Sequence, residues 1–95
     1  MDDPDDALPI PLRPGQRFRR HAVTLSAGAT LPFVDEEWRG ALVVVEQGAV
    51  DLCCSRGARR RFTTGAVLFL DGLGLVALNN PGTGELRLVA LSRRQ

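Results

Sequence analysis

Gly40-Ala41-Leu42-Val43-Val44-Val45-Glu46-Gln47-Gly48-Ala49-Val50-Asp51-Leu52 decides the fold. Side chains of a strand alternate between faces, so Ala41–Val45 is apolar on both sides if extended. One face must line a core, and the other needs a cover. Leu42 and Val44 share parity with Glu46 and are placed outward, where a second sheet or a second subunit could bury them. Ala41, Val43 and Val45 then face the interior. Gly48 interrupts the run, and a second begins at once at Ala49.

The same grammar extends in both directions. Short β-like runs are expected at Arg17–Leu25, Thr30–Val34, Gly40–Gln47, Ala49–Ser55, Arg59–Thr63, Ala66–Leu70, Leu73–Leu78 and Glu85–Ser92. Gly, Asn, Asp, Ser and Pro separate them, as in Asp71-Gly72 and Asn79-Asn80-Pro81-Gly82. No stretch carries helical periodicity with caps at both ends. Many short strands with frequent turns indicate an all-β sandwich or barrel. Leu68-Phe69-Leu70 is also apolar on both faces. Closing a barrel or pairing edges in a dimer would satisfy such strands.

The chain has 95 residues, enough for one domain, and 44% are hydrophobic, too many for a disordered protein. No apolar run reaches the roughly 18 residues that span a bilayer. Met1-Asp2-Asp3-Pro4-Asp5-Asp6 has no apolar signal core, so a cytoplasmic protein is expected. Residues 1–14 read as an acidic, Pro-rich, solvated tail and residues 15–95 as the domain. Residues 1–12 hold four acids and no Arg, whereas residues 13–95 hold 12 Arg against seven acids. All the basic residues are Arg. That excess is small and the aromatics few, which argues against nucleic-acid binding. Arg59-Arg60-Arg61 with Arg17, Arg19 and Arg20 could form an anion site, although salt bridging accounts for them equally. Cys53 and Cys54 are adjacent, and Cα atoms about 3.8 Å apart lie below the usual disulfide range of about 4.4–6.8 Å. Two reduced thiols pointing to opposite faces are expected.

From Val23 to Leu91 the chain resembles a small single-domain cupin. Gly28 and Gly48 fall at the two glycines of the first family motif, and Leu42–Leu52 looks like its strand–Gly–strand. Gly65 and Asn80 fit the ends of the second motif. The resemblance implies a jelly-roll barrel of about eight short antiparallel strands. It also implies a metal held by histidines, and here the sequence departs. The first motif's two His positions fall on Val34 and Glu36, and its Glu position on Ala41. The second motif's His falls on Val76, its Pro on Asp71 and its inner Gly on Leu73. One carboxylate cannot hold a transition metal that needs three or four converging ligands. No metal and no cofactor are therefore expected.

The leading reading is a homodimeric, non-metal cupin-like domain that binds a small, mainly apolar ligand with one polar handle. The barrel interior is assigned Val34, Ala41, Val43, Val45, Val76 and Leu78, with Glu36, Trp38 and Asn80 near the mouth. Trp38 could stack on a ligand ring or cover a dimer contact. Asn80 could instead bond turn backbone before Pro81. Two alternatives stand beside this. One is a metal-free isomerase, epimerase or cyclase in which Glu36 and His21 move protons; it requires His21, which shares parity with Val23 and Leu25, to converge with Glu36. The other is a homodimeric interaction module with a filled barrel, joined through Leu42, Val44 and Leu68.

Overall fold

The computed structural model describes residues 18–93. The expected tail over residues 1–14 lies outside the described residues. Eight strands and one helical turn follow in order: β1 (Phe18–Leu25), β2 (Thr30–Pro32), α1 (Asp35–Trp38), β3 (Ala41–Gln47), β4 (Ala49–Cys54), β5 (Arg59–Thr63), β6 (Val67–Phe69), β7 (Leu75–Asn79) and β8 (Leu86–Arg93). They form two four-stranded sheets, β1-β8-β3-β6 and β2-β7-β4-β5, and every pairing is antiparallel. Each chain crossing from one sheet to the other wraps the pair into a jelly roll, as the sequence predicts.

Alternation decides which side chains meet between the sheets. In β3, Ala41, Val43 and Val45 are buried while Leu42 and Val44 are half-buried on the outer face. The first sheet also turns Leu25, Leu68, Leu86, Leu88 and Ala90 inward, and the second contributes Val50, Leu52 and Leu78. Phe62 and Leu31 pack against this core from the edges. Gly48 forms the corner at which the chain leaves one sheet for the other. Its φ is +89°, and a Cβ there would lie 2.9 Å from the Glu85 carbonyl oxygen, so only glycine fits without a shift. Thr64 braces this corner: its hydroxyl accepts from Gly48 N at 3.1 Å and donates to Gly48 O at 3.2 Å.

Some expectations are corrected. The second run ends at Pro32, which has no N–H to donate, and the expected loop at Asp35-Glu36-Glu37 is instead a helical turn carrying Trp38. A single turn is too short to show periodicity. The seventh strand starts at Leu75, after two glycines of positive φ, Gly72 and Gly74. Val34 and Val76 are not barrel interior: they are 46% and 50% exposed. Val34 precedes the helical turn outside both sheets, and Val76 lies at the first end of β7. The cysteines are free and half-buried, and Cys54 packs against the core.

The Arg run alternates as strand geometry requires. Arg61 and Arg59 lie on one face against Asp51, at 2.8 Å and 3.7 Å, while the Arg60 guanidinium sits 5.6 Å from the Phe62 ring centre. β5 and β1 are edge strands of different sheets, so Arg59–Arg61 is not gathered with Arg19 and Arg20 into one anion site.

Candidate functional site

The barrel end reached by the start of β1, the end of β2 and the starts of β3 and β7 holds the aromatic cluster. Here the connection from β2 to β3 folds inward. Trp38 is 2% exposed although it comes from a four-residue helical turn whose other members are all exposed. Phe33 stacks on it, with centroids 6.3 Å apart and planes 17° from parallel. The His21 ring approaches from β1 at 5.8 Å, tilted by 47°. Ala41 and Ala90, both buried in the same core cluster, are the small side chains at this end of the first sheet.

Three contacts hold this segment. Phe33 N donates to Val76 O at 2.9 Å, tying the end of β2 to β7. Gly40 N donates to the Asp71 carboxylate, 3.0 Å from Oδ2, which ties the start of β3 to the loop after β6. Arg39 pairs with Asp35 at 3.0 Å, and that hydrogen bond raises the guanidinium pKa. Against this ordering stands one unmet group. The Trp38 Nε1–H is buried and has no hydrogen-bond partner among the described residues. Leaving such a donor unpaired costs about 1–3 kcal/mol.

The predicted site residues divide between the two ends of the barrel. Trp38, Ala41, Val34, Glu36 and Val76 belong to the end just described. Asn80 does not. It is 1% exposed at the opposite end, where its amide donates to Leu25 O (3.1 Å) and Gly84 O (2.8 Å) and accepts from Gly82 N (3.0 Å). Its hydrogen-bonding capacity is spent on backbone, closing the turn between β7 and β8. His21 does reach the aromatic cluster, as its parity predicts. Glu36 is exposed, and no hydrogen bond or ion pair joins it to His21 among the described residues. Phe33 and Asp71 were not singled out from sequence. Their signals were slight: an aromatic after Pro32, and an Asp-Gly that reads first as a turn.

Val34, Glu36, Ala41 and Val76, where the sequence resemblance expects metal ligands, together offer one carboxylate, and a transition-metal site needs three or four converging donors. Among the described residues no three His, Cys, Asp or Glu side chains are grouped as ligands. No described helix is long and apolar enough to cross a membrane.

No protein-family model matches the sequence, and no curated protein matches it. The structure is similar to that of a Cupin 2 conserved barrel domain protein from Salinispora arenicola CNS-205. The TM-score is 0.59 at 18% identity, and the match covers 96% of this chain and 85% of that chain. The protein therefore has a cupin-like fold.

Proposed function

We propose that the end of the barrel around Trp38 binds a small, mainly apolar ligand carrying a hydrogen-bond acceptor. The observation that carries this reading is the buried indole N–H of Trp38, which lies beside Phe33 and His21 and has no partner among the described residues. A ligand carbonyl or carboxylate that reached Nε1 would recover the cost of the unmet donor. An aromatic or branched aliphatic body would add burial against Val34 and Val76, both half in solvent at this end. The indole nitrogen is buried, so a ligand reaching it must displace what covers it.

The chain contains one Trp and no Tyr, so intrinsic emission and the single indole N–H resonance both report on this site. The test is a titration with small aromatic and aliphatic acids, ketones and amides, alongside matched hydrocarbons. A saturable emission change with a downfield shift of the indole proton is expected only from compounds bearing an acceptor. Trp38→Phe keeps a ring and removes the donor, and should weaken binding by roughly tenfold or more. A panel that leaves both signals unmoved at millimolar concentration overturns the reading.

A further inference from the structure

β5 is an edge of the second sheet, and among the described residues only β4 pairs with it. Its sequence, Arg59-Arg60-Arg61-Phe62-Thr63, has neither the proline nor the bulge that commonly closes an edge. In an antiparallel pair, successive residues alternate between bonding the neighbour and bonding away from it. The hairpin sets the phase. Cys54 N donates to Ala58 O at 2.9 Å and Gly57 N to Cys54 O at 3.0 Å, so Arg60 and Phe62 turn their backbone toward β4. β7 agrees from the other side. Phe33 N donates to Val76 O and Asn80 N to Ala29 O, which leaves Ala77 and Asn79 to bond Cys53 and Asp51. Asp51 and Cys53 are thus committed to β7. The N–H and C=O groups of Arg59, Arg61 and Thr63, opposite them and Ala49, point off the sheet.

The side chains of this edge carry one sign of charge. Residues 49–65 hold Arg56, Arg59, Arg60 and Arg61 against a single acid, Asp51. That carboxylate is buried and takes Arg61 in a two-point pair, at 2.8 and 3.2 Å, with Arg59 at 3.7 Å. It orients Arg61 and leaves both side chains 61% exposed, with N–H donors free to meet a second carboxylate. One acid cannot neutralise three arginines, so β5 keeps a positive surplus beside its open backbone. A second copy of the strand is a poor occupant. Antiparallel self-pairing centred on Arg61 would set that arginine against its own copy. We propose that the free edge of β5 binds an extended acidic segment of a partner protein, which adds to the second sheet as a further antiparallel strand. Residues of that segment opposite Arg59 and Arg61 are two apart and share their face, so carboxylates are required at alternate positions. Backbone pairing supplies affinity and the alternate side chains supply specificity. The residue between the two acids falls on the other face, beside Arg60, whose guanidinium lies 5.6 Å from the Phe62 ring centre.

The experiment titrates the isotope-labelled full chain with capped peptides of about seven residues, long enough to span β5. One alternates Thr and Glu. Another has the same composition with its Glu residues in a single block. A third is the alternating peptide methylated on every second backbone nitrogen, which keeps the charge and removes the pairing donors. The alternating peptide is expected to slow amide exchange at Arg59, Arg61 and Thr63 roughly tenfold or more, while Arg60 and Phe62, already bonded to β4, change little. It should bind roughly tenfold more tightly than the block and methylated peptides, and weaken as salt is raised. Arg59→Glu changes a side chain outside the Asp51 hydrogen bonds and should weaken binding roughly tenfold or more, with native Trp38 emission showing that the fold is kept. The peptide arms use the unaltered protein, so the result stands even if that variant does not fold. Equal binding of the alternating and block peptides, protection that misses those three amides, or no saturation at millimolar peptide would overturn the proposal.

Discussion

Asn80 and Asp51 are both buried to about 1% exposure, and each is tolerated because its polar atoms are answered. Asn80 joins three backbone groups from β1 and the turn before β8, so its loss strands buried carbonyls as well as an amide proton. Asn80→Ala should cost about 2–3 kcal/mol in urea unfolding, with the native Trp38 emission retained in the folded fraction. Asp51 lies on the outer face of the second sheet, covered by the guanidiniums that pair with it rather than by deep packing. The hydrogen bond from Arg61 is the main cause that lowers its pKa, opposed by desolvation and aided by the charges of Arg61 and Arg59. A carboxylate whose folded pKa is depressed contributes stability above the unfolded value, about 3.9, and loses it as pH falls toward the folded one. The protein should therefore lose stability on acidification below about pH 4. Asp51→Asn should flatten that part of the curve, measured as Tm against pH. Both arginines are largely exposed, so the ion pairs themselves are screened by salt.

At the scale of elements, the connection from β2 to β3 carries the proposed site in few residues. A helical turn of four residues has no stability of its own. Its position comes from what it delivers, the Trp38 indole, and from the bond that fixes its exit, Gly40 N to Asp71. Asp71→Ala removes that bond at an exposed site, so the cost in global stability should stay within about 0.5–1.5 kcal/mol. Its local effect should be larger. Trp38 emission should move to the red and become more accessible to a dissolved quencher, because the segment is freed at one end. An unchanged spectrum would mean that Phe33 and the core alone hold the indole. The strands themselves were legible in the sequence, with boundaries within one or two residues for most. The helical turn was not, because four residues carry no periodic pattern and its aromatic is buried by the facing sheets rather than by neighbours along the chain.

At the scale of the whole molecule, the pairings are mostly distant in sequence. β1 lies against β8 along its full length, from Phe18 opposite Arg93 to Leu25 opposite Leu86. Closing such long loops before contacts repay them slows folding. Refolding should take milliseconds to seconds rather than microseconds. Stopped-flow emission of the single Trp measures this directly, since the indole becomes buried only when both sheets have formed. A microsecond phase carrying the full amplitude would contradict this topology.

The sequence by itself determined the all-β class, the corner at Gly48, the inward set Ala41, Val43 and Val45 and the free state of the adjacent cysteines. Each of these is set locally, by alternation, by backbone freedom or by the atoms a side chain carries. Only the tertiary structure decided that Asn80 stands at the opposite end of the barrel from Trp38, that Val34 and Val76 lie at the rim, and that Trp38 reaches the aromatic cluster with its donor unmet. Those facts depend on which strand ends are brought together. Register and sheet packing set that, through contacts between residues that no local pattern relates.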